Sequence, residues 1–288
     1  MSTSMTASTT RDTLPEKRGW SRALYLLPLS MTLGSLFCGW YSIVNSLRGF
    51  LEGTDSARAA TLFSGAAWAI GLAIVLDNLD GRIARTIGAE SAFGVELDSL
   101  SDVLTFGVAA AVLAYTSGYG RVPGLETPAF LISFVFVAAG AIRLARSNVR
   151  AHSIQADSSS PAREEKYFVG LPIPAAASVV AAVTYFYYSP VAKRAAAAVQ
   201  PHGLPLMAAV LLLALLMVSP FPYSKLKIAS RGRKPLSVLN RAVFPAIAVA
   251  VVIGMWLGSR WVVLAIAVLY AVHGPILQTV RSLARPPA

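Results

Sequence analysis

The chain has one cysteine, three histidines and only 14% charged residues among 288, which closes several common ways of building a site. A lone Cys38 can neither close an internal disulfide nor assemble a thiolate metal centre. His152, His202 and His273 have no ligand-like spacing, and none is assigned a role. Acidic residues are scarce, 14 against 25 Lys and Arg, so the formal net charge is +11. That excess is not a nucleic-acid footprint, because the basic residues lie between apolar runs and form no stripe with interleaved aromatics. The partner it fits is an anionic membrane surface; no nucleic acid is expected. A soluble domain and a short-period repeat are also missing.

What fills the chain instead is apolar sequence, 55% of all residues, with a mean hydropathy of +0.60. Such a composition belongs to membrane proteins. A bilayer core takes about 20 apolar helical residues. On that measure the expected fold is an all-α, polytopic membrane bundle of about eight spans: 23–45, 58–77, 92–118, 128–147, 170–188, 203–219, 239–257 and 261–279. The expected divisions are a cytoplasmic tail (1–22), a core of six spans (23–220), and a basic loop with two further spans and a short tail (221–288). The first run is too long for a signal-peptide core, has no evident cleavage site, and reads as a retained span. With the N-terminus inside, 19 of the 25 basic residues face the cytoplasm and 6 face outward, the bias that orients membrane proteins. Both termini are therefore expected in the cytoplasm. The Ser-rich segment 156–165 reads as a cytoplasmic loop, and the aromatics 185–188 as an interfacial belt.

One segment carries chemistry. Asp77-Asn78-Leu79-Asp80-Gly81-Arg82-Ile83-Ala84-Arg85 is followed, after eight intervening residues, by Gly94, then by Asp98 and Asp102. On helices, Asp77 and Asp80 share one face and so do Asp98 and Asp102. If the two helices are neighbours, four carboxylates converge where each costs about 3 kcal/mol to insert and all repel one another. A cation must compensate. Hard divalent ions prefer oxygen ligands, and two of them can hold both the attacking and the leaving oxygen of a phosphoryl displacement, so two Mg²⁺ or Mn²⁺ ions are expected on Asp77, Asp80, Asp98 and Asp102. Gly81 and Gly94 let a phosphate approach the backbone, and Arg85 can pair with it bidentately. A pair of solvated aspartates balanced by Arg82 and Arg85 would need no function; four in this register do. A transporter could also bury carboxylates, but the inverted repeats it would show are not found.

At these residues the chain resembles the CDP-alcohol phosphatidyltransferases, matching D-x2-D-G-x2-A-R-x8-G-x3-D-x3-D at every fixed position. The resemblance implies metal ligation by the four aspartates, Asp102 doubling as the proton acceptor, and contacts to the CDP-lipid from Gly81, Arg85, Ser91, Gly94 and Thr32. It also implies a homodimer and an active site on the cytoplasmic side of a bacterial inner membrane. Relatives share the aspartates but differ in the acceptor alcohol: glycerol 3-phosphate, inositol phosphate, choline or serine. Three segments, 27–39, 141–149 and 168–177, look like those of serine-using members, and 220–225 more faintly so. The departures are Ser35, where relatives often have Asn, and Ser147, where they often have Phe. A zwitterionic acceptor needs a cation and donors for its carboxylate, and Arg143, Arg146, Asn148 and Lys166 stand at or beyond the cytoplasmic end of the fourth span. Arg146 and Asn148 are the preferred pair. The expected substrates are thus CDP-diacylglycerol and serine, joined by direct transfer.

Overall fold

The computed structural model describes residues 20–53, 56–88, 91–156, 167–188 and 203–224, with short helical pieces at 264–265, 267–269 and 271–272. Six helices dominate these residues: α1 (Trp20–Glu52), α2 (Ala57–Ile87), α3 (Ala92–Tyr119), α4 (Glu126–Ala156), α5 (Ile173–Tyr187) and α6 (Gly203–Val218). They coincide with the first six apolar runs. Four are long and apolar enough to cross a membrane, over Leu26–Glu52, Ala57–Ile87, Ala92–Tyr119 and Glu126–Arg150. The shorter α5 and α6 are as apolar, but at 15 and 16 residues they rise only about 24 Å. The seventh expected span lies outside the described residues, and the eighth does so apart from the short pieces.

Local sequence explains the helix boundaries. Ser56 opens α2 by accepting the Ala59 N–H at 2.9 Å, and Gly88 closes it in the left-handed region. Ser91 opens α3 in the same way, through the Gly94 N–H. Pro172 precedes α5, where a missing N–H costs nothing. Within α3 the backbone widens to π-helix over Val103–Val108, directly after Asp102, and again over Tyr115–Tyr119.

The all-helical expectation needs one amendment. Tyr167–Val169 (β1) and Pro222–Ser224 (β2) pair antiparallel, with Phe168 opposite Tyr223. Two segments set apart by resemblance alone, around 168–177 and 220–225, are thereby joined across the ends of α5 and α6. The junction is tight: Gly170 donates to the Phe221 carbonyl at 2.9 Å and Leu171 to that of Leu216 at 3.0 Å. Gly170 has φ +83°, and a Cβ there would collide with the Met217 carbonyl oxygen, so the turn excludes other residues.

Packing puts the polar site near one end of the bundle. Phe63, Ile70, Phe106, Phe136, Ile173 and Met217 are buried between helices, while Leu33, Phe37, Trp40, Phe130 and Phe134 point outward, as lipid-facing side chains do. Helices α1 and α2 run along each other for most of their length. Helix α3 crosses close to both, and at Gly39 a Cβ would sit 2.9 Å from the Thr105 Cα. Small residues at such crossings are the usual means of bringing membrane helices together.

Candidate active site

The aspartates of the C-terminal half of α2 and the N-terminal half of α3 meet. One oxygen from each of Asp77, Asp98 and Asp102 lies within 4.8 Å of the others. Asp77 and Asp102 are within hydrogen-bonding reach, which two bare carboxylates tolerate only with a shared proton or a cation between them. Three half-buried hard oxygens at this spacing fit a small divalent ion.

Asp80 is placed differently. It is 3% exposed, accepts the Thr32 hydroxyl at 3.0 Å through Oδ2 and the Gly81 N–H through Oδ1. It stands beside the other three without joining their cluster. The Arg85 guanidinium interacts electrostatically with both Asp80 and Asp98 and lies over Gly81, its nitrogens 3.7 and 3.9 Å from where a Cβ would be.

Next to these groups opens a cleft of about 340 Å³, bounded by the start of α1, the end of α2 and the start of α3. Thr32, Gly81, Arg85, Ser91 and Gly94 all line it, together with Asp80 and Asp98. Leu26, Pro28, Leu29, Phe93 and Val95 make its other wall apolar. The cleft thus offers a cation, two carboxylates and an apolar wall to one ligand, an arrangement suited to an anionic amphiphile. The Ser91 hydroxyl is engaged as the cap of α3, accepting from Gly94 at 3.0 Å.

The residues expected at the acceptor separate. Asn148 donates to the Ser99 hydroxyl at 2.9 Å, tying α4 to the aspartate-bearing turn of α3. Arg146 is exposed and donates to the Val218 carbonyl at 3.3 Å, at the end of α6. The preferred pair therefore faces two different helices, as two positions 200° apart on a helix must. Arg143 is buried, 8% exposed. Lys166 lies outside the described residues.

Sequence reasoning passed over a set of hydroxyls behind the aspartates. Ser101 donates to the Thr32 carbonyl at 3.4 Å, Thr105 to that of Ser35 at 3.3 Å, and Ser35 to that of Ala73 at 3.5 Å. All three are buried. Their signal was the four-residue spacing of Ser101 and Thr105 beside small residues in an apolar helix, the pattern of hydroxyls used between membrane helices.

These features define a polytopic membrane protein with an acidic, metal-competent site beside an amphiphile-sized cleft. Residues 25–222 match the family model of the CDP-alcohol phosphatidyltransferases, and the chain belongs to that family. Among curated relatives, the CDP-diacylglycerol--serine O-phosphatidyltransferase of Helicobacter pylori is 37% identical over 160 residues, 54% of this chain and 56% of that one. The proteins of the same name from Mycobacterium leprae and Saccharomyces cerevisiae are 40% and 38% identical over 54% of this chain, covering 45% and 52% of their own lengths. The chain thus matches about half the length of these relatives.

Proposed function

We propose that this chain transfers the phosphatidyl group of CDP-diacylglycerol to the hydroxyl of L-serine, giving phosphatidylserine and CMP. The observation that carries the reading is the meeting of Asp77, Asp98 and Asp102 beside a cleft lined by Thr32, Gly81, Arg85, Ser91 and Gly94. The names of the relatives support serine as the acceptor.

In this reading two Mg²⁺ or Mn²⁺ ions on Asp77, Asp80, Asp98 and Asp102 would neutralise the diphosphate and the charge that develops on the departing CMP. Arg85 pairs with the diphosphate, and the open backbone at Gly81 and Gly94 lets the nucleotide lie against the helix ends. Asp102 accepts the proton of the serine hydroxyl. The serine oxygen then bonds to the phosphorus bearing diacylglycerol, and the bond from that phosphorus to the bridging oxygen breaks. CMP leaves with the electron pair. Arg143, Arg146, Asn148 and Lys166 form the acceptor side, on and after α4. The acyl chains leave the cleft along its apolar wall into the bilayer.

The finer topology goes with this reading: eight spans, both termini cytoplasmic, a core of residues 23–220 between a tail (1–22) and a two-span addition (221–288), and a homodimer in a bacterial inner membrane with its site facing the cytoplasm. The 19-to-6 division of basic residues supports the orientation.

The decisive experiment is CMP release by the purified protein with CDP-diacylglycerol and Mn²⁺ or Mg²⁺, comparing serine, glycerol 3-phosphate, inositol phosphate and choline, with Asp102→Asn as control. Serine-dependent release abolished in the control is expected. Release with another acceptor alone would refute serine, and no release with any acceptor would refute the transferase reading.

A further inference from the structure

Thr32 touches both helices that carry the aspartates. Its hydroxyl donates to Asp80 Oδ2 on α2 at 3.0 Å, and its carbonyl accepts from Ser101, the residue before Asp102 on α3, at 3.4 Å. It is 6% exposed, so water competes little for either bond. With the Gly81 N–H on Oδ1, both oxygens of Asp80 are engaged, beside the cluster of Asp77, Asp98 and Asp102.

The same hydroxyl has a second acceptor, the Pro28 carbonyl at 3.2 Å. A threonine hydroxyl has one proton to donate. It serves Asp80 or Pro28 at any moment, and moving between them needs only rotation about the Cβ–Oγ1 bond. Asp80 Oδ2 can thus be held or released without moving α1.

We propose that Thr32 is a positioning residue for the cation site, beyond any contact it makes with substrate: it sets the carboxylate of Asp80 and, through Ser101, the rotation of α3 that aims Asp102. The inference rests on the metal-dependent reading above. Outer partners that orient ligand carboxylates are commonly worth ten- to hundredfold in metal affinity.

The test is a calorimetric titration of the full-length chain in detergent with Mn²⁺ alone, comparing wild type, Thr32→Val, Thr32→Ser, Ser101→Ala and Asp77→Asn. Thr32→Val, which keeps the shape and removes the donor, is expected to weaken Mn²⁺ binding about tenfold or more. Thr32→Ser, which restores the hydroxyl, should stay within about threefold of wild type. With CDP-diacylglycerol and serine, Thr32→Val should lower kcat more than it raises KM for the CDP-lipid. Wild-type or tighter Mn²⁺ binding by Thr32→Val, with only that KM raised, would overturn the proposal and leave Thr32 a substrate contact. If Thr32→Val does not fold, Ser101→Ala carries the test from α3: a several-fold loss of Mn²⁺ affinity is expected, and none would overturn it. Failure of the metal reading itself is distinct, since Asp77→Asn would then bind Mn²⁺ as wild type does.

Discussion

Replacing Gly39 by alanine should damage the site from a residue that does not touch it. A Cβ at Gly39 would stand 2.6 Å from Thr105 Oγ1, 2.9 Å from its Cα and 3.0 Å from its Cβ. The Cα belongs to the backbone of α3, so no rotamer change removes the overlap. Restoring ordinary carbon contacts of 3.5–4.0 Å requires α1 and α3 to separate by roughly 0.6–1 Å at this level. That would stretch the Thr105–Ser35 bond, already 3.3 Å, beyond useful length, a loss of about 1 kcal/mol. Overpacking adds about 1–3 kcal/mol. Asp102 is one helical turn from Thr105, and a displacement near 1 Å at a reacting group can reduce turnover about a hundredfold. Gly65→Ala is the internal control, because the nearest atom to a Cβ there is Tyr41 Oη at 3.8 Å, and alanine gains about 1 kcal/mol of helix propensity. The assays are CMP release and thermal unfolding in one detergent. Gly39→Ala is expected to melt lower and turn over about a hundredfold slower, and Gly65→Ala to melt at or above wild type with normal activity. Equal behaviour of the two variants would refute the argument that this helix crossing sets the site.

The bond from Asn148 to Ser99 predicts coupling: Asn148→Ala and Ser99→Ala should each cost about 1 kcal/mol in unfolding free energy and the pair about the same as either alone, whereas additive losses would mean that the two do not act as a unit. Gly170→Ala forces an L side chain to φ +83° against the Met217 carbonyl, which should cost at least about 2 kcal/mol and lower the melting temperature more than Gly65→Ala changes it. An ion on the carboxylate cluster binds the folded chain alone, so Mn²⁺ at a hundred times its dissociation constant should add about 2.7 kcal/mol of stability, an effect that chelator reverses and that Asp77→Asn and Asp102→Asn lack.

The sequence conveyed α1 through α6 well because each is a long apolar run, and an apolar run of that length has few alternatives in a bilayer. It conveyed the aspartates through fixed spacing: Asp98 and Asp102 are four apart and share a face whatever else the fold does. What it could not convey was which carboxylate would stand apart. Asp80 is bonded by Thr32, 48 residues earlier in the chain, and spacing does not encode a partner on another helix. The partners of Asn148 and Arg146 were not legible for a related reason. Both are polar residues at one helix end, but the neighbours that claim them, Ser99 and the Val218 carbonyl, are fixed by packing. The ribbon of β1 and β2 was hidden because three-residue strands in Pro-containing segments have no periodicity to read.

Helix α1 carries none of the aspartates, yet the geometry of the site depends on it. Four carboxylates in neighbouring helix turns repel one another, so without a cation the surrounding frame must oppose that repulsion. The frame on this side consists of Gly39 against Thr105, Ser35 between the two flanking helices, and Thr32 between Asp80 and Ser101. Each polar contact is worth about 1 kcal/mol, comparable to the repulsion between one pair of partly screened carboxylates. The balance is close enough that the hydroxyls of α1 help to set the spacing of the aspartates, and in the proposed reading a cation would draw the carboxylates together. Removing the Thr32 hydroxyl from α1 should therefore change cation affinity more than it changes the stability of the cation-free chain, whereas loss of an aspartate should weaken cation binding and, by relieving repulsion, leave the cation-free chain as stable as wild type or more so.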